Sequence, residues 1–300
     1  MAKLTYNFKN DVLFKKLFVD HPDLLKRLVS VMLFIPFESI TELLITNPEI
    51  PPEIVGDKFC RIDINMLVNG MHINLEIQVH DEGDFEKRLM FYWGREFTSA
   101  LHEGGHYIDL PQTIIISIVA FKMFTCKEYY SRFHVSEDSR HEWLSDVLDI
   151  HICELCKLPD VVTADDKREL WLHLFDATTD EELKKIEELE VPEMTQAIEA
   201  YRRVTVSPEF IALQRMRDDA RRNEASALHN AEKKGIEIGR TEGIGIGRTE
   251  GIEIGEERGA LRAKKETALE MLSEGVYPIE SIARIVKVST DQVLAWQCES

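Results

Sequence analysis

Two groups of residues in this 300-residue chain have types and spacing suited to chemistry. The first is the pentapeptide HEGGH, residues 102–106, which has the His-Glu-x-x-His spacing of zinc proteases. In those enzymes two histidines four residues apart bind zinc from one face of a helix, and the glutamate acts as general base. The spacing works only inside a continuous helix, and glycine is the residue that most often ends one. We therefore expect Gly104 and Gly105 to cap a helix, which excludes the protease chemistry.

The second group flanks the dipeptide Asn69-Gly70, the strongest short-range signal for a two-residue β-turn. Counting outward from that turn places Asp63 across from Glu76, and Arg61 across from Gln78. Directly opposed carboxylates repel each other unless a cation neutralises them. A divalent ion such as Mg²⁺, which prefers carboxylate, carbonyl and water oxygens, would do so. The residues alone thus suggest a metal site on a hairpin.

The alternation around this turn separates two faces of the predicted hairpin. The apolar face, which must pack on a core, contains Ile62, Ile64, Met66, Val68, Met71, Ile73, Leu75 and Ile77. The polar face contains Arg61, Asp63, Asn65, Asn74, Glu76 and Gln78. An ordinary antiparallel hairpin with its polar face in water would show the same pattern, so composition leaves both interpretations open.

The elements that must position this hairpin alternate between helix and strand. Apolar residues at helical spacing follow Asn10 or Asp11 as a possible N-cap, and a short strand is predicted in SITELLIT. An amphipathic helix is predicted after the hairpin. Later strands are predicted in TIIISIVAF, YYSRFHVSED and DVLDIHICELCKL, and helices from Asp160 to about Arg203. This order favours an α/β domain.

These segments, in this order, resemble the Rpn family of recombination-promoting nucleases and transposase-like proteins, within the PD-(D/E)xK nuclease superfamily. RIDINMLVNGMHINLEIQVH is similar to the metal and catalytic hairpin of that family. KNDVLFKKLF, KRLMFYWGREFTSALHEGGHY, TIIISIVAF and LDIHICEL are similar to its flanking elements. The resemblance spans roughly residues 7–200. It implies a restriction-endonuclease-like α/β core, a central mixed sheet flanked by helices, followed by an α-helical C-terminal extension.

The resemblance also implies an activity, the metal-assisted hydrolysis of DNA phosphodiester bonds with Mg²⁺ or a similar divalent cation. Asp63 matches the metal-binding aspartate and Glu76 the second carboxylate, with the backbone carbonyl of Ile77 in the ligand shell. Gln78 stands where the superfamily more often has lysine, and Asp11 matches an acidic position that can join the metal site. Glutamine is usual here in Rpn proteins, but it can only form hydrogen bonds, whereas lysine also carries charge.

The charge of the chain is unevenly distributed, which matters for binding a polyanion. The formal net charge is -18, and residues 137–199 hold 19 acidic and 6 basic residues. Residues 3–27 and 201–222 each hold 6 basic and 3 acidic residues, so DNA could be bound locally. The candidate phosphate contacts are Arg61, Arg88 and Arg95. A structural ion pair is the alternative role for each of them.

The cysteines and the apolar runs bear on location. Five cysteines at irregular spacing argue against a disulfide framework and favour a reducing compartment. No apolar run is long enough for a membrane span, and the N-terminus lacks the apolar segment of a signal peptide. We therefore predict a cytoplasmic protein without membrane contact. HICELC, residues 151–156, offers half of a zinc site, but its alternation favours a strand.

The C-terminal third differs in kind. Residues 235–266 are an eight-residue repeat with glycine at positions 235, 239, 243, 247, 251, 255 and 259. Each glycine costs a helix about 1 kcal/mol, unless two backbones pack closely at the glycines. A homodimer of paired helices and a semi-flexible charged linker are both compatible with the repeat. The tail predicts two short helices around a turn, but the second, from Thr290, has no Lys or Arg, so packing or dimer capping is favoured over DNA reading.

The sequence therefore predicts three segments and leaves two classes of function. The segments are a nuclease-like domain in residues 1–205, a helical glycine-repeat segment for self-association in 206–266, and a small helical tail in 267–300. The first function is that of a DNA endonuclease linked to mobile elements, recombination or genome defence. The alternative is a weakly active or inactive nuclease fold that acts as a self-associating regulatory or DNA-binding module.

Overall fold

The computed structural model describes residues 2–47, 64–101 and 104–299. Within these residues six strands form one mixed sheet in the order β1-β2-β3-β4-β6-β5. The strands are β1 (Leu43–Ile45), β2 (Ile64–Val68), β3 (Met71–Gln78), β4 (Thr113–Val119), β5 (Tyr130–Phe133) and β6 (Leu148–Glu154). The predicted mixed sheet is therefore confirmed.

Nine α-helices accompany the sheet in the described ranges. They are α1 (Asp11–Asp20), α2 (Pro22–Leu33), α3 (Phe85–Ser99), α4 (Lys167–Asp176), α5 (Asp180–Glu187), α6 (Pro192–Thr205), α7 (Pro208–Glu274), α8 (Ile279–Val286) and α9 (Thr290–Cys298). The first begins as predicted, because the Asn10 side chain accepts a hydrogen bond of 2.9 Å from the Leu13 amide.

The hairpin β2–β3 has the register that the Asn69-Gly70 turn predicts. Ile64 pairs with Leu75, and the pairing continues inward to the turn. Asn69 and Gly70 have φ angles of 48° and 81°, as a tight hairpin turn requires. The side chain of Asn69 also accepts hydrogen bonds from the amides of Thr41 and Glu42, at 3.0 Å each. One residue thus forms the turn and holds the segment that leads into β1.

Beyond the hairpin, the chain builds a parallel centre. Strand β3 pairs in parallel with β4, and β4 in parallel with β6, while β5 lies antiparallel at the edge. One face of the sheet packs mainly on α1, α2, α4 and α6, and the other packs on Phe85 and Leu89 of α3. Helix α3 is the crossover between two parallel strands, so it runs antiparallel to them.

The end of α3 differs from the prediction. The helix ends at Ser99, five residues before Gly104, so the paired glycines are not its cap. In the last turn, the hydroxyls of Thr98 and Ser99 donate to helix carbonyls at 2.7 and 2.8 Å. His102 and Glu103 lie outside the described residues. His106 has extended backbone angles, and Gly104, with φ of 84°, forms a turn instead.

The chain divides into two compact units, Met1–Asn223 and Glu224–Ser300. In the second unit, residues of the last turns of α7 pack with α8 and α9 around Ala268, Ile282 and Trp296. The glycine repeat lies in α7, and its isoleucines are exposed. No helix of the described residues is both long and apolar enough to cross a membrane. The proposed division into 1–205, 206–266 and 267–300 stays a prediction.

Candidate active site

The polar face of the hairpin lies on the same side of the sheet as α3. Asn74, Glu76 and Gln78 alternate with apolar residues along β3, and the apolar residues face the larger core. Asn74 donates a 2.6 Å hydrogen bond to Asn65, its partner across the β2–β3 ladder. The predicted separation of the two faces is therefore confirmed for the described part of the hairpin.

Glu76 is the central carboxylate of this face. It is 1% exposed and pairs in the ladder with Ser117 of β4, which is itself 0% exposed. The Ser117 hydroxyl donates a 2.5 Å hydrogen bond to Oε1 of Glu76. A hydrogen bond to an ionised acceptor is strong, and here it fixes the orientation of the carboxylate. The buried position of Glu76 is held by two neighbouring parallel strands.

Ser117 was not among the site residues predicted from the sequence. The signal for it is present, because serine interrupts the otherwise apolar run TIIISIVAF of a strand buried on both faces. A polar residue in such a strand needs a buried partner. The identity of that partner depends on the register between β3 and β4, which the sequence does not encode locally.

The proposed metal ligands fall partly outside the described residues. Asp63 and Arg61 lie outside them, so their pairing with Glu76 and Gln78 stays a prediction. The carbonyl of Gln78 accepts from the Ala120 amide at 2.9 Å, on the β4 side. Because carbonyls alternate along a strand, the Ile77 carbonyl points to the β2 side. A carboxylate and a carbonyl are hard oxygen donors of the kind that Mg²⁺ prefers, so the described donors fit a divalent ion.

No group of three or more His, Cys, Asp and Glu residues in the described ranges is placed to hold a metal ion by itself. The half-site HICELC, for example, does not converge, since Cys153 is buried in the sheet and Cys156 is exposed after it. A metal site at Glu76 would therefore also need other oxygen ligands, such as the Ile77 carbonyl, residues outside the described ranges, water or a bound phosphate.

Gln78 lies at the end of β3 and is half-buried. Its amide Nε2 donates a 2.9 Å hydrogen bond to the carbonyl of His80, two residues later. The side chain carries no charge, and this contact holds it against the chain that leaves the strand. It can orient a water molecule or a phosphate oxygen by hydrogen bonding, but it cannot neutralise charge.

Arg88 and Arg95 both lie on α3. Arg88 donates a 2.6 Å hydrogen bond from Nη1 to Glu82, in the loop before the helix. Burial by itself lowers the pKa of Arg88, but the carboxylates of Glu82 and Glu76 contribute to raising it above its ordinary value. Arg95 is exposed further along the helix. The predicted phosphate contacts on α3 therefore remain predictions, and Arg88 has a structural ion pair as well.

Asp11 begins α1, and its carboxylate is engaged by two arginines of α7. Oδ2 of Asp11 lies 3.1 Å from Nη2 of Arg217 and 2.9 Å from Nη2 of Arg221. These contacts join the first helix to the start of α7 within the first compact unit. A role of Asp11 at the metal stays a prediction, and it would require the carboxylate to leave both arginines.

The opposite face of the sheet holds a second polar cluster, which sequence analysis also missed. Asp149 is buried on β6 and accepts two hydrogen bonds from Arg132, at 3.0 and 2.8 Å. His151 lies 3.1 Å from Asp149 and 2.9 Å from the Tyr130 hydroxyl. Burial would raise the pKa of Asp149, but the nearby His151 ring and the hydrogen bonds from Arg132 hold it well below its ordinary range. The cluster fastens the edge strand β5 to β6.

A protein-family model described as PD-(D/E)XK nuclease family transposase matches residues 8–231. No curated protein and no solved structure matches the chain.

Proposed function

The chain belongs to the PD-(D/E)XK nuclease family transposases, and from this membership we propose that it is a divalent-metal-dependent DNA endonuclease. Its work would be in mobile-element movement, recombination or genome defence. The observation that carries the proposal is the buried carboxylate of Glu76, held by Ser117 on the polar face of a hairpin whose register is fixed. A carboxylate is a hard oxygen donor of the kind that binds a divalent metal ion together with phosphate oxygens.

The ligands of the ion would be Asp63, Glu76 and the Ile77 carbonyl, and Mg²⁺ is the natural candidate for an all-oxygen set. When bound, the ion lowers the pKa of water and offsets the charge that develops on the phosphate. Gln78 would orient the attacking water or a phosphate oxygen through its amide. Asp11 would support the ligands only after release from its arginines.

DNA would be bound by local basic groups, because the chain as a whole is acidic. The proposed phosphate contacts are Arg61, Arg88 and Arg95, with further basic residues in 3–27 and 201–222. Binding that relies on a few phosphate contacts weakens as salt rises, with a modest slope. We further propose a cytoplasmic location, which suits the exposed free thiols of Cys126, Cys156 and Cys298.

Plasmid cleavage tests the proposal directly. Supercoiled plasmid is incubated with the wild type and Mg²⁺ or Mn²⁺, and the nicked and linear forms are measured over time. Asp63→Ala and Glu76→Gln should lower the rate by at least about 100-fold, since each removes a metal ligand. Glu86→Gln, which removes an exposed carboxylate at the start of α3, is the matched control and should cleave as the wild type does. Equal rates for the wild type and Asp63→Ala would defeat the proposal.

A second function is favoured by two observations, the uncharged Gln78 and the exposed glycine repeat of α7. On this interpretation the fold binds DNA or regulates without cutting, and self-associates as a homodimer through the repeat. DNA binding and phenotype that survive in Glu76→Ala would support it. Sedimentation of the full chain over a range of concentrations, compared with Gly243→Leu and Gly247→Leu, tests the dimer. A constant monomeric mass would exclude it.

A further inference from the structure

Helix α3 lays a column of side chains along the polar face of β3. Arg88, Tyr92 and Glu96 are four residues apart and therefore share one face of the helix. At one end of the column, Glu96 lies 3.3 Å from Nδ1 of His72, the second residue of β3. The helix and the strand run in opposite directions. As the residue numbers of α3 fall from Glu96 to Arg88, the column therefore follows β3 from His72 toward the end of the strand.

The spacing along this column can be worked out from the geometry of the two elements. From Glu96 back to Arg88 is eight helical residues, a rise of about 12 Å. From His72 to Glu76 is four strand residues, a rise of about 13 Å. Since the two elements meet at His72 and Glu96, these rises place Arg88 at about the level of Glu76 along the strand. The Trp93 indole, which donates to the Thr113 carbonyl at 3.1 Å, fixes the same end of the column, because Thr113 pairs with His72.

Electrostatics agree with this placement. Burial lowers the pKa of Arg88, whereas Glu82 and, to a smaller extent, Glu76 contribute to raising it. The positive charge of Arg88 on α3 therefore interacts with the Glu76 carboxylate on β3. Among the described basic side chains of α3, Arg88 is the one that this geometry places near Glu76.

The donors of Arg88 are only partly used. Nη1 donates to Glu82, whose side chain is 60% exposed, and an ion pair with so exposed a partner is readily exchanged for another anion. Nε is buried, and it has no hydrogen-bond partner in the part of the chain that the structure describes. The guanidinium lies 5.2 Å from the centre of the Phe85 ring, which limits its direction. The Arg88 guanidinium is thus restrained in position and has unused hydrogen-bond donors.

We propose that Arg88 contacts the scissile phosphate at Glu76 and supplies the positive charge that Gln78 cannot supply. This inference rests on the proposed endonuclease function and names a residue for it. In the reaction, the oxygen of water forms a bond to phosphorus while one bridging P–O bond breaks. The water loses a proton to solvent, and the departing oxygen takes one up. Arg88 transfers no proton; it stabilises the negative charge on the non-bridging oxygens as it develops.

The test is a rescue experiment with single-turnover cleavage of plasmid DNA in Mg²⁺ or Mn²⁺. Arg88→Gln should lower the rate about 100- to 1,000-fold, as removal of one charge-stabilising donor does. Arg88→Lys, which keeps the charge, should retain at least a tenth of the rate. Adding Gln78→Lys to Arg88→Gln should restore at least tenfold, because a lysine at 78 reaches the same phosphate from the strand. Lys87→Gln, an exposed neighbour with the same charge change, is the matched control and should stay within threefold.

The outcomes separate the inference from its premise. If the wild type cleaves and Glu76→Gln does not, the proposed function stands. In that case, cleavage by Arg88→Gln within threefold of the wild type overturns the role of Arg88 alone. An equal loss of rate in Lys87→Gln also overturns it. So does a failure of Gln78→Lys to restore the rate, provided that the circular dichroism and urea midpoint of the double variant match those of Arg88→Gln. If the wild type cleaves with no divalent cation, both proposals fall.

Discussion

Replacing Ser117 by alanine should weaken the fold and the proposed metal site together. The substitution removes the donor of the 2.5 Å hydrogen bond to Glu76 and leaves a carboxylate that is 1% exposed short of one partner. A hydrogen bond to a charged group contributes about 1.5–3 kcal/mol to stability. Water cannot readily replace the lost donor at a site this buried, so we expect a loss of about 2 kcal/mol. In a unit of this size that corresponds to a fall in melting temperature of about 4–8 °C.

Thr113→Val provides the matched control. Thr113 lies on the same strand and the same face as Ser117, and it is equally buried. Its hydroxyl has no hydrogen-bond partner among the described residues, so the isosteric valine removes a polar group that contributes nothing. We expect a change within about 0.5 kcal/mol, or a slight gain in stability. The pair therefore separates the hydrogen bond to Glu76 from the general effect of altering β4.

The assay is urea unfolding followed by circular dichroism, with a Mn²⁺ titration of each folded variant. Loss of a partner that orients a metal ligand typically weakens metal binding about 10- to 100-fold, so Ser117→Ala should shift the Mn²⁺ titration by that factor and Thr113→Val should not. If the two variants lose the same stability, Ser117 does not stabilise Glu76 through this bond. If Ser117→Ala is destabilised but binds Mn²⁺ as the wild type does, Glu76 is not oriented for the metal by Ser117.

Three further predictions concern groups away from Glu76. Cys153 is fully buried, and burial raises the pKa of its thiol to about 12. It should therefore resist maleimide in the native protein while exposed Cys126 reacts, as peptide mapping would show. Equal labelling of the two cysteines would contradict the burial of Cys153. Asp149→Asn should lower the free energy of unfolding at pH 7 by about 1–3 kcal/mol, because Arg132 loses its charged partner. Since folding lowers the pKa of Asp149, its contribution to the free energy of unfolding is present above the unfolded pKa of about 3.9 and is lost toward acid. The urea midpoints of the wild type and Asp149→Asn should therefore converge below about pH 4. A difference in midpoint that does not change with pH would refute this linkage. Gly70→Ala should cost about 1 kcal/mol in urea unfolding, since φ is 81° but no atom obstructs a Cβ, and an unchanged midpoint would show that the turn relaxes.

The features that sequence analysis predicted correctly are those set by neighbours in the chain. Asn69-Gly70 determines its own turn, and the turn determines the register of β2 and β3 with no help from the rest of the fold. Asn10 caps α1 through a bond to a residue three positions later. The predicted end of α3 was wrong, because the helix ends at Ser99, before either glycine of HEGGH, although glycine is a common residue at helix ends.

The features that were missed depend on pairings between distant segments. Ser117 reaches Glu76 only because β4 joins β3 in parallel after a crossover helix. The partners of Asp149 come from β5, whose place at the edge of the sheet no local pattern specifies. The position of Arg88 at about the level of Glu76 likewise follows from the contact between His72 and Glu96, which ties a helix to a strand more than 20 residues away. Of Ser117, Asp149 and Arg88, only Arg88 was a candidate from the sequence, and the tertiary pairing is needed to assign the roles of all of them.

The glycine repeat in α7 has a consequence for the handedness of the proposed self-association. An α-helix turns about 100° per residue, so each glycine, four positions after the last, lies about 40° further around the helix. A stripe with a period above 3.6 drifts in the sense that produces right-handed crossing, opposite to a heptad coiled coil. After two such steps the glycines no longer face a straight partner helix. Each contact between two copies would therefore be a short crossing at two or three glycines. Because the repeat offers several equivalent crossings along the helix, pairing through it would be degenerate in register.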